Sequence, residues 1–124
     1  MENIRLTVQQ PWLEWIRVGQ KTTEGRPGLP GTRDYMLQKI VDLYDPRRPS
    51  DVVQVMVDEV VHYPNLAEYL KKEGTRVATP QLSTEEIAQL YAVIRSDNNT
   101  LVFSPEQIML RGGINALHIR LVED

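Results

Sequence analysis

Six of the twelve residues from Val52 to Tyr63 are valine: Val52, Val53, Val55, Val57, Val60 and Val61. β-Branched side chains crowd the preceding turn of a helix but pack well on a pleated surface. The run is therefore read as a long strand, and the chain has to build a sheet around it. Residues 36–44, with Ile40, Val41, Leu43 and Tyr44, are also strand-like. The 45–51 segment between the two runs contains Pro46 and Pro49, so together they predict an antiparallel hairpin.

Other elements follow from spacing. Ile4, Leu6 and Val8 alternate with Arg5 and Thr7, the pattern of a half-buried strand. Pro11 suits a helix start. Trp12, Leu13, Trp15, Ile16 and Val18 then follow at helical spacing up to Gly19, a natural stop. Residues 27–34 hold two prolines and two glycines and predict a loop, free enough to act as a lid. Leu66, Ala67, Tyr69 and Leu70 form a helix face that ends at Gly74. Ser83 and Glu86 form a capping-box pattern ahead of Ile87, Leu90, Tyr91 and Ile94. Residues 101–103 read as a short strand and Ser104-Pro105-Glu106 as the start of a helical turn. Residues 114–122 read as a final strand with Leu117, Ile119 and Leu121 inward. The order β-α-β-loop-β-β-α-α-β-β lacks a βαβ rhythm. It predicts an α+β fold, a small β-barrel of five to six strands with flanking helices. A chain of 124 residues fits one domain, 1–124.

The totals limit function more than fold. The net charge is −3, without the basic excess of a bulk nucleic-acid binder. A small site for one nucleotide or a flexible strand depends on local charge and stays open. With no cysteine there is no disulfide, thiolate metal site or Cys nucleophile, which fits a reducing compartment. The first residues do not resemble a signal peptide, and no stretch nears the roughly 20 apolar residues that span a membrane. A cytoplasmic protein without membrane contact is expected, as a monomer or weak dimer. His62 and His118 lack ligand spacing, so neither metal nor cofactor is expected.

The stretch that points to chemistry is residues 19–26, Gly-Gln-Lys-Thr-Thr-Glu-Gly-Arg. Read as a strand, it places Thr22, Glu24 and Arg26 on one face and Lys21 and Thr23 on the other. So many charges cannot be buried on both faces unless they are paired. The strand has to border solvent, a cleft or a partner.

Trp12-x-x-Trp15-Ile16-x-x-Gly19-x-Lys21-Thr22-x-Glu24-x-Arg26 resembles the opening of the ASCH (activating signal cointegrator homology) family, whose hallmark is Gly-x-Lys-x-x-Glu-x-Arg after a short helix. Leu66-x-x-Tyr69-Leu70-x-x-Glu73-Gly74, a Pro, Ser83-x-Glu85-Glu86 and Tyr91 are similar to the succession seen later in many members. The resemblance covers nearly the whole chain. It implies a PUA-like β-barrel with a cleft between barrel and helices, and RNA as ligand. Some small bacterial members are amidohydrolases of N4-acylated cytidine. In that branch a Lys in the first motif, a Thr three residues later and a Glu near the end of the first long helix carry catalysis. Lys21 matches the Lys and Glu73 is nearest to the Glu, but Glu24 stands where the branch has Thr. Other members are linked to ribonuclease action or coactivator complexes.

Three readings follow. In the first, Lys21, Glu24 and Arg26 line a charged cleft for RNA or a nucleotide, with Arg26 clamping phosphate or holding Glu24. In the second, the same cleft is a hydrolase site: Lys21 and Glu73 are the acid/base pair, and Thr22 or Thr23 supplies a hydroxyl. In the third, the chain is a protein-interaction module. Trp12 is the candidate to stack a base, against the plainer account that both tryptophans are core. Glu73 is either an acid/base facing Lys21 or a solvated charge. Arg33, Arg47 and Arg48 offer a basic rim, or simply solvated turns.

Overall fold

The computed structural model describes residues 2–96 and 98–122. Among them, five strands form one sheet: β1 (Ile4–Thr7), β2 (Thr23–Pro27), β3 (Ile40–Tyr44), β4 (Val52–Tyr63) and β5 (Ile114–Leu121). Their spatial order is β1-β3-β4-β5-β2. β1 runs parallel to β3, and the other neighbours are antiparallel. The sheet curls into a half-barrel flanked by helices α1 (Trp12–Arg17), α2 (Leu66–Glu73), α3 (Thr84–Ala92) and α4 (Pro105–Leu110), an α+β arrangement.

The valine run forms β4 over its full predicted length and makes the hairpin with β3, with Tyr44 opposite Val52. Val53, Val55 and Val57 alternate inward and meet Val41 and Leu43 of β3, Leu13 and Ile16 of α1, and Ile87 of α3 in one core. The register of β4 on β5 shifts between Val57 and Glu59, which sets Glu59 opposite His118. The starts of α2, α3 and α4 are capped locally. Asn65 accepts from the Glu68 amide, Ser104 accepts from the Gln107 amide ahead of Pro105, and Ser83 and Glu86 exchange hydrogen bonds.

Several sequence expectations change. Residues 34–36 form a 3-10 turn (Asp34–Met36), so β3 begins only at Ile40. In place of a strand at 101–103 there is one isolated bridge, Arg95 to Leu101. Leu117 and Ile119 are buried, but Leu121 is 37% exposed. The first half of β5 lies between β4 and β2 under α2, so Ile114 and Ala116 are buried too, and inside and outside do not simply alternate there. No helix among the described residues is long and apolar enough to cross a membrane.

Candidate functional site

The charged motif does not enter the sheet at Gly19. That glycine turns at φ +83°, in the left-handed region. The N–H groups of Gln20 and Lys21 both donate to the Trp15 carbonyl, at 2.9 and 3.0 Å, so the chain wraps the end of α1 and β2 starts at Thr23. This corrects the assignment of faces. Thr23 still points away from Glu24 and Arg26, but Lys21 is free of strand alternation and folds back onto Glu24.

Lys21 Nζ donates to the Thr23 carbonyl at 2.6 Å and the Val77 carbonyl at 2.7 Å, and lies 3.1 Å from Glu24 Oε1. Three donors meet three acceptors, so the ammonium is fully satisfied although the residue is only 2% exposed. Burial pulls the Lys21 pKa below its ordinary value; the charge and hydrogen bond of Glu24 offset part of that. Glu24 Oε2 accepts from Arg26 at 2.8 Å. Burial pushes the Glu24 carboxyl up, but Lys21 and Arg26 together outweigh it and hold the group below the usual carboxylate value. Arg26 also donates to the Thr7 carbonyl at 2.5 Å. β1 and β2 are the two outer strands of the sheet, so this guanidinium bridges the open side of the half-barrel.

A cavity of about 240 Å³ opens there. Lys21, Glu24 and Arg26 reach it from one side and Trp12, Tyr91 and Phe103 from another. The Trp12 and Tyr91 ring centroids are 5.1 Å apart, those of Tyr91 and Phe103 5.2 Å, and Lys21 Nζ lies 5.4 Å from the Trp12 ring. Arg33, Arg95 and Arg111 also line it. Among the described residues, five cations and one carboxylate, Glu24, thus line the cavity, and that carboxylate is already held by two of them. Among the described residues no ion pair engages Arg33, Arg95 or Arg111. The cavity is electropositive within a chain of net charge −3. No three His, Asp or Glu among the described residues gather to hold a metal ion.

The other sequence candidates separate. Trp12 is both core and cavity wall, only 8% exposed. The Thr22 side chain is exposed, while its N–H donates to the Arg76 carbonyl. Thr23 and Glu73 meet each other instead of Lys21: the Thr23 hydroxyl donates to Glu73 Oε1 at 2.8 Å. Glu73 is neither a solvated charge nor a neighbour of Lys21 Nζ. It is buried, and it also accepts from Tyr63. Arg47 stands elsewhere, paired with Asp45. Sequence reasoning missed Tyr91 and Phe103 as cavity wall, because Tyr91 at helical spacing reads as core. Arg95 and Arg111 belong to no motif.

A scan against protein-family models and a search of curated proteins find no match. Solved structures do match. Hypothetical protein PH0355 superposes with a TM-score of 0.66 at 22% identity, over 98% of this chain and 100% of that one. Protein PF0455 from Pyrococcus furiosus gives 0.62 at 22%, over 99% and 100%. ASCH from Zymomonas mobilis gives 0.59 at 14%, over 94% of this chain and 65% of that one. The chain has the ASCH-domain fold.

Within this ASCH fold the 27–34 loop is held down. Asn115 Nδ2 donates to the Leu29 carbonyl at 3.1 Å and to Thr32 Oγ1 at 3.2 Å. His62 Nε2 lies 3.1 Å from the Gly28 carbonyl and 3.0 Å from the Gly112 carbonyl. Both acceptors are carbonyls, so this nitrogen carries the proton. A Cβ on Gly112 would sit 2.4 Å from Leu29 Cδ2, which shows how closely the loop packs on the turn before β5. The loop expected as a lid is a clasped segment that presents Arg33 to the cavity.

Proposed function

We propose that the ASCH-fold cleft binds a nucleotide or a short stretch of single-stranded RNA, with a base against the aromatic wall and phosphate at the arginines. The observation that carries this reading is that the described lining holds five cations and one already paired carboxylate, beside Trp12, Tyr91 and Phe103. Stacking on such a wall contributes about 1–3 kcal/mol per base, and arginines that pair with no carboxylate among the described residues suit phosphate. Arg26 lies inside a concavity, unlike the flat apolar patch of a protein-interaction module. A hydrolase of N4-acylated cytidine would need a hydroxyl beside Lys21. The Thr22 side chain is exposed and the Thr23 hydroxyl is engaged by Glu73. Binding is therefore the preferred reading.

The test is an NMR titration with cytidine, CMP and a short oligoribonucleotide. Shifts at residues 19–34 and an affinity that falls with salt are expected, and Arg111→Gln should lower the salt slope by about one. No response of residues 19–34 to any of the three ligands ends the reading. Turnover of N4-acetylcytidine that is lost in Lys21→Ala would replace it with the hydrolase.

A further inference from the structure

Glu73 stands on the far side of β2 from the cavity, yet it joins the two segments that hold Lys21. One acceptor of Lys21 Nζ is the carbonyl of Thr23, the residue whose hydroxyl Glu73 binds. The other is the carbonyl of Val77, at the end of the 3-10 turn (Gly74–Val77) that follows directly on Glu73. The Thr22 amide ties the same segments by donating to the Arg76 carbonyl at 2.9 Å. Glu73 therefore staples together the two pieces of backbone between which the buried ammonium is coordinated.

The network continues to solvent. Tyr63 donates to Glu73 Oε2 at 2.5 Å, and His118 Nε2 lies 2.9 Å from Glu73 Oε1. His118 Nδ1 lies 2.8 Å from Oε1 of Glu59, whose side chain is 64% exposed. Carboxylates only accept, so both contacts are hydrogen bonds at once only when His118 is an imidazolium. A neutral ring leaves one of the two carboxylates without its donor. Around His118 the ionisable groups are Glu59 and Tyr63 from β4 and Glu73 from α2; β2 contributes the neutral Thr23 hydroxyl. Arg76 of the 3-10 turn reaches to 3.7 Å from Glu73 Oε1. Burial pushes the Glu73 carboxyl up, but hydrogen bonds from Tyr63, His118 and Thr23 hold it below the usual value.

We propose that Glu73 is a positioning residue for Lys21, and that the protonation of His118 is transmitted through Glu73 and Thr23 to the floor of the cleft. The inference deepens the functional reading above, because Lys21 is part of the proposed ligand site.

The test follows the side-chain ammonium signal of Lys21 and the His118 ring together by NMR in the ligand-free protein, as pH is varied from about 5 to 8. The Lys21 signal is expected to move in one step that coincides with the titration of the His118 ring, and the step should vanish in His118→Gln. Thr23→Val should displace the Lys21 signal at constant pH, and Thr23→Ser should restore it. A Lys21 signal that stays flat while His118 titrates overturns the proposal, as does one left unmoved in folded Thr23→Val. If Thr23→Val does not fold, His118→Gln decides, because it leaves Glu73 the Tyr63 and Thr23 donors. CMP affinity measured alongside separates the two ideas. A Lys21 step with no response to cytidine, CMP or the oligoribonucleotide upholds this inference and ends the functional reading; binding with a flat Lys21 does the reverse.

Discussion

Gly25, between Glu24 and Arg26, shows how tightly the site is built. A Cβ there would lie 2.5 Å from the Tyr69 hydroxyl oxygen and 2.9 Å from Ile114 Cδ1. Gly25→Ala is expected to cost about 1–3 kcal/mol by overpacking. Chemical denaturation should show a smaller cost in a Tyr69→Phe background, since the hydroxyl oxygen is the closest obstacle; an equal cost would place the strain elsewhere. Lys21 is the other sensitive residue. Lys21→Met removes one partner of a buried ion pair and strands two carbonyls, which should cost about 3–5 kcal/mol. Arg120→Gln, at the exposed pair with Asp58, should barely change the same denaturation curve.

At the scale of elements, local chemistry explains the helices and long-range pairing explains the strands. The capping box of α3 is a property of four consecutive residues, so Ser83 and Glu86 announce it in the sequence. Ser83→Ala should lower stability by about 1 kcal/mol, readable as a shift of the denaturation midpoint. No shift would mean that α3 is held by Ile87 and Tyr91 in the core alone. β4 was legible along its whole length because its valines suit only a pleat. β2 was misplaced at its start, because nothing in Gly-Gln-Lys-Thr tells that the Trp15 carbonyl takes two amides and the Arg76 carbonyl a third. That displacement decides whether Lys21 meets Thr23's side chain or Glu24.

For the whole molecule, hydrogen-bonded and paired carboxylates set the response to acid. Glu24, Glu73 and Asp45 are all held below their ordinary values, Asp45 by its hydrogen bonds with Arg47. A lowered carboxyl pKa gives stability that is complete above the unfolded value and lost as pH falls toward the folded one. The unfolded values are 4.5 for the glutamates and 3.8 for the aspartate. The lowered Lys21 pKa has the opposite origin: its folded state favours loss of the proton, so its contribution to stability grows as pH rises toward the unfolded value of 10.5. Thermal unfolding should therefore be nearly level from pH 7 to pH 5 and drop steeply below, and Glu73→Gln should soften the drop. A melting temperature that holds down to pH 3 would contradict the pairing.

The sequence by itself determined the β-rich α+β class, the long strand with its hairpin, the stop of α2 at Gly74, the capping box of α3, and a motif whose charges had to be paired or to border a cleft. These are properties of neighbouring residues: χ1 stiffness, hydrophobic period, capping and charge density. Only the tertiary structure decided which charges pair. It brought Lys21 to Glu24 and Arg26, sent Glu73 to Thr23 and His118, and placed Arg95 and Arg111 beside Trp12, Tyr91 and Phe103. Those placements join residues as far apart as Trp12 and Arg111, and they depend on how the sheet curls and on which outer strands it leaves open, neither of which a local pattern carries.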